Sequence, residues 1–269
     1  MSSPLYVHTD LSRYLAAFPQ FVAGASSADE MSQRAYDAMF ADLTEISEDT
    51  LIVPSYNYSF TKTGRFDMRT DRSEVGHFSE LFRQSYLDTR SSTPVFSNCA
   101  NRAGFLSQDI SPVIDPFREG GDFGRLTKAN GRIASFGAPF APTYIMYIER
   151  QVAGGPLYRY DKIFTGSVID LNGAAHDVTM LYHVRPLSVN LVYDLPKIEA
   201  ELAAQGILEH RALRDVFFYT LYNARGFLEY ALDRIAKEPM YFLTADCQKR
   251  LTDADVFKNG RVKQSDFEG

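Results

Sequence analysis

The sequence predicts a mixed α/β fold, with a central mixed sheet flanked by helices and a helical pair towards the C-terminus. The chain has 269 residues, of which 45% are hydrophobic, so it can bury one large core. Short β-branched and aromatic runs alternate with segments of helical period, and two long periodic segments follow. We therefore expect residues 1–269 to form a single domain.

The N-terminal part alternates strands with helices. PLYVH at 4–8 predicts a strand, and the polar residues after it predict the cap of a helix that begins near Leu11. Apolar residues at helical spacing predict a helix over 28–46, followed by a buried strand, TLIVP, at 50–54. The helical period returns over 73–86, where the first residue, a serine, is the expected cap.

The central part predicts a further β-then-α unit. RIASFG at 132–137 is typical of a short buried strand that ends at glycine, and TYIMYIERQV at 143–152 predicts a helix that begins after Pro142. Residues 158–168 and 178–184 have the aromatic and β-branched content of strands, and we expect them to pair antiparallel.

The C-terminal part predicts two long helices. The first is expected over 196–210, since Pro196 suits a helix start, and the second over 213–235, weakened at Gly226. The tail at 252–269 is polar and is expected to fray.

Composition excludes several classes of protein. The formal net charge of -6 argues against a general nucleic-acid binder. Cys99 and Cys247 stand alone, which excludes a disulfide scaffold or a CxxC zinc site and fits the cytoplasm. The N-terminus has no signal-peptide pattern, and the longest uncharged stretch, 133–148, is too short for a membrane helix. We expect no nucleic-acid partner and no membrane partner.

Seven motifs follow one another in an order that resembles a known family. They are VHTDL, LIVPSYNYSF, TDRSEVGHFSELFR, RSSTPVFS, FREGGDFGRL, GRIASFGA and LYRYDKIFTG. The first five resemble the family elements HsSL, VPTyTySF, TpSxxGxLsExfR, RSxHPxxS and FGxxSxFxxL, and the last two resemble the strands before and after its active-site helix. Over roughly residues 5–240 the chain resembles the aminoglycoside 3-N-acetyltransferase family.

The resemblance implies that family's fold and an acyl-coenzyme A cofactor, either acetyl-coenzyme A or another acyl-coenzyme A. It implies a small-molecule amine acceptor and allows a homodimer. The strand LYRYDK and the Arg-Pro-Leu after it resemble a branch encoded with surface-polysaccharide genes, which favours amino-sugar acylation in biosynthesis over drug resistance.

The chain departs from the family at two histidines. The family's active-site helix reads NTxxHxxE, whereas this chain reads PTYIMYIE, with Thr143 and Glu149 retained and Met146 at the histidine position. The histidine of RSxHP is Thr93 here. Methionine cannot accept a proton, so the usual base is absent.

Three routes around the missing base stay open. Amine attack on a thioester needs a neutral nitrogen, and an alkyl amine is mostly protonated at pH 7. Glu149 could accept the proton if Tyr144, Ile145, Tyr147 and Ile148 desolvate its carboxyl group. Alternatively, the acceptor arrives as a weakly basic neutral nitrogen, or as a hydroxyl activated by substrate groups.

The candidate site residues fall into three groups. The catalytic candidates are Glu149 and His77. Those implied at the coenzyme A site are His8, Thr9, Ser12, Arg90, Ser91, Thr93 and Ser97. Those implied at the substrate site are Tyr56, Tyr58, Asp67, Glu74, Thr143 and Met146. No metal is expected, because His176, His183 and His210 share no ligand spacing.

Each group also has a plainer interpretation. Glu149 could be a rim carboxylate, and His77 an ordinary helix-surface histidine. Arg90 could form a surface salt bridge, while the tyrosines pack in the core and the acids stay solvated in loops.

The leading functional prediction is an acyl-coenzyme A dependent N-acyltransferase acting on an amino-sugar or other small amine metabolite. A second hypothesis is a family member without transfer activity that binds a ligand as a structural or regulatory subunit. A third is different thioester chemistry on the same scaffold, such as transfer from a carrier protein or hydrolysis.

Overall fold

The computed structural model describes residues 3–254, 256–257 and 260–267, and it contains two mixed sheets with helices packed around them. The strands are β1 (Leu5–Thr9), β2 (Leu51–Pro54), β3 (Arg65–Asp67), β4 (Asn98–Ala100), β5 (Val113–Ile114), β6 (Arg132–Phe136), β7 (Tyr160–Ile169), β8 (Ala175–Val184), β9 (Leu208–Leu213) and β10 (Phe217–Asn223). The helices are α1 (Leu11–Ala17), α2 (Ala28–Ser47), α3 (Phe60–Thr63), α4 (His77–Ser85), α5 (Asp122–Lys128), α6 (Tyr144–Gln151), α7 (Leu195–Ala204), α8 (Ala224–Lys237) and α9 (Ala245–Asp253).

The larger sheet has the strand order β4-β2-β1-β6-β10-β9. Strand β1 lies parallel to both β2 and β6, whereas β4, β10 and β9 pair antiparallel with their neighbours. The strand β9 forms one edge, and its exposed side chains Glu209, His210 and Arg211 are charged or polar. This mixture of directions confirms the predicted mixed α/β class.

Two cores form because successive residues of a strand face opposite sides of the sheet. Leu5 and Val7 of β1 pack with α1, α2 and α4 on one side. Tyr6 packs with Ile133, Tyr222 and residues of α5, α6 and α8 on the other side. The second core includes the start of α6, so this side of the sheet carries the helix whose motif was singled out above.

The smaller sheet, in the order β3-β7-β8-β5, is built around the antiparallel hairpin β7–β8, as expected from the sequence. Tyr160 pairs with Val184 near the open end of the hairpin. Alternation along β7 places Tyr160, Lys162 and Phe164 on one face. Asp161, on the opposite face, binds Arg150.

The predicted helices over 28–46 and 143–152 are confirmed, and the latter begins at Tyr144. The predicted helices over 196–210 and 213–235 are wrong between residues 205 and 223, where the hairpin β9–β10 lies. Residues four apart share one face in a helix and in a strand alike, so Phe217 and Leu221 fitted both patterns. Residues 217–223 form a strand and not a helix because β10 pairs with β6 in the sheet.

Two smaller corrections concern a helix start and the tail. Helix α4 begins after Gly76, and Ser73 does not cap it; instead the Ser73 backbone N–H donates to Glu80 Oε2 at 2.7 Å. The helix α9 runs through Thr252, and Gln264–Asp266 forms a 3-10 turn. The rest of the predicted frayed tail, at 255, 258–259 and 268–269, lies outside the described residues. No helix in the described ranges is long and apolar enough to cross a membrane.

Candidate active site

A cavity of about 620 Å³ opens beside the first turn of α6. Thr143 and Met146, at positions of the NTxxHxxE motif, line it. The hairpin β7–β8 forms the facing wall with Phe164 and Tyr182. The remaining lining residues are Thr61, Ala141, Pro142, Ile145, Arg159, Tyr160, Lys162, Val184, Arg185, Leu187, Tyr193 and Leu195. The structure thus brings together two of the predicted substrate-site residues.

Glu149 lies beneath this cavity in a closed polar cluster. Its side chain is fully buried, and Arg159 Nε lies 2.6 Å from Glu149 Oε2. The hydroxyls of Tyr158 and Tyr193 donate to Glu149 Oε1 at 2.9 and 2.7 Å. Arg159 also donates to the Tyr193 hydroxyl at 2.7 Å and to the His183 carbonyl at 3.0 Å. We call these four residues, Glu149, Arg159, Tyr158 and Tyr193, the carboxylate cluster.

The charges of the cluster compensate one another. Burial alone would lower the pKa of Arg159, but the Glu149 carboxylate outweighs it and raises the pKa, so the guanidinium stays charged. Burial, together with the same carboxylate, raises the pKa of Tyr158 and Tyr193, so both phenols keep their protons. Glu149 thus has polar and charged partners beside its apolar neighbours, and its role as a base stays a prediction. Glu149 Oε1 accepts from the two tyrosine hydroxyls, Oε2 forms the ion pair with Arg159 but accepts no hydrogen bond from the described residues, and Glu149 is not a lining residue of the cavity.

Met146 is half-buried in the cavity wall, where it offers an apolar surface and no proton acceptor. Thr143 lies beside it in the cavity wall. The Tyr56 hydroxyl lies 2.6 Å from that of Tyr6, which donates to Asn98 at 3.1 Å. Tyr56, Tyr6 and Asn98 therefore form a hydrogen-bonded chain within the core.

Neither predicted stacking tyrosine lines the cavity. Tyr56 is only 3% exposed and belongs to the hydrogen-bonded core, which corrects the prediction that it stacks on a sugar ring. Tyr58 is 41% exposed, and its role as a substrate contact stays a prediction. Burial raises the pKa of Tyr58, with smaller effects from Tyr182 and Glu74.

The buried Nε2 atom of His8 has no hydrogen-bond partner among the described residues. The residue is partly exposed, but its Nε2 atom is buried and makes no hydrogen bond with the described residues. Burial lowers the pKa of His8 to about 4, so the ring is neutral at pH 7. Ser135 lies opposite His8 in the sheet, Thr220 lies opposite Ser135, and their hydroxyls are also unpaired. This polar row can accept or donate hydrogen bonds but cannot supply a cation for a phosphate.

The predicted coenzyme A residues in RSSTPVFS are mostly committed to the protein itself. Arg90 is fully buried and donates to the carbonyls of Met68, Asp71 and Ser55 at 3.0, 2.6 and 3.0 Å. Burial lowers the pKa of Arg90 to about 10, so it remains charged at pH 7. The prediction that Arg90 lies beside the coenzyme A phosphates is corrected, because its guanidinium donates to backbone carbonyls of the loops around it.

The serines beside Arg90 have the same structural role. Ser91 Oγ accepts from the Asn98 backbone at 2.9 Å, and Ser97 Oγ donates to the Ser55 carbonyl at 2.8 Å. Both are fully buried, so they too are corrected as phosphate contacts. Thr93 is half-buried, and its role stays a prediction.

Thr9 and Ser12 lie at the end of β1 and in the first turn of α1. Neither side chain forms a hydrogen bond with the described part of the chain, so both remain available to a ligand. Between them, the Asp10 carboxylate caps α1 by accepting from the Arg13 backbone at 3.0 Å. A carboxylate at this cap disfavours a phosphate on the same turn.

The predicted acidic contacts and the substitute histidine lie outside the cavity lining. Asp67 is 1% exposed and is held by Arg65 and Arg69 at 3.0 and 3.1 Å. Although burial opposes the shift, the hydrogen bonds and charges of Arg69 and Arg65 lower the pKa of Asp67 to about 2. Glu74 is exposed, and so is His77, the first residue of α4. The prediction of a substrate contact is corrected for Asp67, which is buried and paired with two arginines, whereas the roles of Glu74 and His77 stay predictions.

The sequence analysis missed Arg159 and Tyr193 as site residues. Arg159 lies in LYRYDK, just before β7, and an arginine between two tyrosines could have indicated a buried partner for Glu149. Tyr193 lies 44 residues from Glu149 in a loop, and no local pattern signals it. Within the described ranges no group of three or more His, Cys, Asp or Glu residues could hold a metal ion.

The fold resembles solved acetyltransferases. AAC-IIIb, solved as a binary complex with CoASH, is 18% identical, with a TM-score of 0.66 over 88% of this chain and 90% of that chain. AAC(3)-Xa is 19% identical, with a TM-score of 0.63 over 87% and 86% of the two chains. A mutant of AAC(3)-IVa in complex with apramycin is 17% identical, with a TM-score of 0.59 over 89% and 88%. At these identities the likeness shows a common fold.

Comparison with curated proteins gives no match. The family model for aminoglycoside 3-N-acetyltransferase, however, matches residues 38–236. That range includes β2, the whole of α6, the hairpin β7–β8 and most of α8, and it is well over half of the chain. The matched range thus spans α6, the helix at the cavity wall. The protein therefore belongs to the aminoglycoside 3-N-acetyltransferase family and is an N-acetyltransferase.

Proposed function

We propose that the protein transfers an acyl group from an acyl-coenzyme A to the nitrogen of a small amine metabolite, with an amino sugar as the expected acceptor and biosynthesis as the expected role. The observation that carries this proposal is the position of Thr143 and Met146 in the wall of the 620 Å³ cavity. The CoASH complex of AAC-IIIb supports the choice of donor.

The residues at the end of β1 fit the uncharged pantetheine arm of coenzyme A. The unpaired His8 Nε2, on the same face of the sheet as Tyr6, suits amide and hydroxyl groups, whereas Thr9 faces the opposite side, so the roles of Thr9 and Ser12 stay predictions. Bound acyl-coenzyme A would supply a thioester carbonyl for attack by the amine. The buried Arg90, Ser91 and Ser97 have internal partners and are not needed for this fit.

The carboxylate cluster acts as a positioning device. Glu149 fixes Arg159 and the Tyr193 hydroxyl, and both of these residues line the cavity. Met146 excludes water from the same wall. With no free proton acceptor at the histidine position, the acceptor nitrogen must enter uncharged, or give its proton to water before it attacks.

The mechanism predicts a particular pH dependence. As the C–N bond forms and the C–S bond breaks, the rate should rise with pH until the amine itself is deprotonated. The midpoint of kcat/KM should therefore follow the pKa of each amine across a series. A fixed midpoint near pH 6.5 would indicate a histidine base and contradict the mechanism.

The experiment that tests the function is a thiol-release assay with acetyl-coenzyme A and a panel of amino sugars. Tyr193→Phe should lower kcat about tenfold, since it removes one donor from the cluster at the cavity wall. Tyr230→Phe is the matched control, because Tyr230 also donates to a carboxylate, Glu201, but away from the cavity. Absence of coenzyme A binding, together with absence of thiol release for every amine, would disprove the proposal.

A second variant tests the positional argument. Met146→His restores an imidazole three residues before Glu149, where the family has its base. We expect it to raise the rate with strongly basic amines more than with weakly basic ones. An equal change for both classes would show that residue 146 does not face the reacting nitrogen.

The cellular setting is also proposed. We propose one catalytic domain that works in the cytoplasm, where it could form a homodimer. Both cysteines, Cys99 and Cys247, are buried and unpaired, which suits a reducing compartment.

A further inference from the structure

The cavity beside α6 has an unusual charge for a site that would take a polycationic antibiotic. Its described lining includes the cationic side chains Arg159, Lys162 and Arg185, and none of its described lining residues is Asp or Glu. A cationic ligand needs carboxylates or aromatic faces without competing positive charge. The electrostatics of the cavity therefore oppose the binding of several ammonium groups.

The carboxylates near the cavity do not reverse this charge. Glu149 is ion-paired with Arg159 and fully buried, so the pair is neutral. Asp67 is paired with Arg65 and Arg69 and is also buried. Glu74 is exposed and lies outside the lining.

Arg185 is the residue that gives the cavity its accessible positive charge. It follows β8, is exposed, and forms no ion pair or hydrogen bond with any residue in the described ranges. The lining of the same cavity includes Phe164, Tyr182 and the 95% exposed Leu187. A planar guanidinium and aromatic rings in one cavity suit a ligand with an oxyanion at one end and a ring that packs on the aromatic wall.

We propose that the amine acceptor of this enzyme carries a phosphate or carboxylate group, which Arg185 binds at the cavity mouth. The inference rests on the proposed N-acyltransferase function. The amine reaches the wall formed by Thr143 and Met146, while the oxyanion stays near the exposed guanidinium and the sugar or other ring lies against Phe164 and Tyr182. The same charge excludes polycationic aminoglycosides.

The test compares acceptors that differ in one charged group. Glucosamine, glucosamine 6-phosphate, glucosaminuronic acid and tobramycin are assayed with acetyl-coenzyme A. We expect kcat/KM to be about tenfold higher for an acceptor with an oxyanion than for glucosamine, and tobramycin to be the poorest. Phosphate and carboxylate are distinguished by which of the two anionic acceptors is preferred. Equal or better use of glucosamine or tobramycin would overturn the inference and leave the proposed function intact.

The variant Arg185→Gln tests whether the preference for anionic acceptors comes from Arg185. Arg185→Gln should lower kcat/KM about fivefold to tenfold more for the preferred anionic acceptor than for glucosamine. Arg211→Gln removes the same charge from the edge strand β9, outside the cavity lining, and should change neither. An equal loss for both acceptors in Arg185→Gln would contradict the assignment.

Calorimetric binding of the same acceptors without any thioester separates the two proposals. Tighter binding of the anionic acceptor, weakened by Arg185→Gln and by added salt, supports the inference even if no transfer occurs. Failure of transfer with every amine counts against the proposed function. Equal binding of charged and uncharged acceptors counts against the anionic acceptor.

Discussion

Arg90 and Arg159 are both buried guanidinium groups, yet the protein stabilises them by opposite means. Arg159 has a carboxylate partner, Glu149, at 2.6 Å. Arg90 is held by the carbonyl groups of neighbouring loops and by the ring of Phe66 at 4.8 Å. Arg159, whose charge is balanced by a carboxylate, lies in the wall of the cavity and is fixed there. Arg90, whose charge is stabilised by carbonyl groups, instead connects loops of the protein.

The largest effect should come from breaking the charge pair. Glu149→Gln leaves Arg159 buried without a counter-charge and should lower the free energy of unfolding by about 3–5 kcal/mol. Urea unfolding measures it. The double variant Glu149→Leu with Arg159→Met should regain most of that loss, because it removes both charges together. If the single and double variants were equally unstable, the ion pair would not be the source of the effect.

A smaller effect should come from pH, through His8, whose buried Nε2 makes no hydrogen bond with the described residues. His8 has a pKa of about 4 in the folded protein and about 6.5 when unfolded, so the unfolded chain binds the proton more readily between these values. The free energy of unfolding should therefore be highest above pH 6.5 and fall by up to about 3 kcal/mol as the pH drops to 4.

This pH effect extends the comparison of buried groups, because the pKa of His8 is lowered by burial and involves no ion pair. In His8→Gln the slope of stability against pH between 6.5 and 4 should flatten, when followed by urea unfolding at several pH values. His210→Gln is the matched control, since His210 is exposed on β9. An unchanged slope in His8→Gln would mean that other groups carry the acid sensitivity.

The smallest effect should come from the dipole-solvated arginine. Arg90→Met removes the donors of three loop carbonyls but also removes a costly buried charge, so we expect a loss of about 2 kcal/mol. Acetyl-coenzyme A affinity, measured by calorimetry on the folded variant, should stay within twofold, or about 0.4 kcal/mol. A large loss of affinity without a loss of stability would restore Arg90 as a ligand contact.

The local pattern of the sequence predicts much of the fold. Strand β6, helix α6 and the hairpin β7–β8 were found because each has an unambiguous period or composition. The hairpin β9–β10 was mistaken for helix because spacing of four residues fits either structure, and only pairing with β6 settles it. Sequence pattern alone contains no information about that pairing.

The site was less predictable than the fold. The motif located Thr143 and Met146 at the cavity, since α6 keeps the family pattern. It could not show that Glu149 faces Arg159, because Arg159 precedes β7 and reaches Glu149 of α6 only in the folded chain. Arg90 was misplaced for the same reason: its partners come from residues 55, 68 and 71, and their convergence is a property of the folded chain.

The edge strand β9 has a consequence for how the protein behaves at high concentration. An open sheet edge can template the addition of strands from other molecules, which leads to aggregation. Here Glu209, His210 and Arg211 place polar side chains along that edge strand, which opposes such pairing. Replacing Glu209 and Arg211 with valine would create a template for intermolecular sheets and make the protein precipitate.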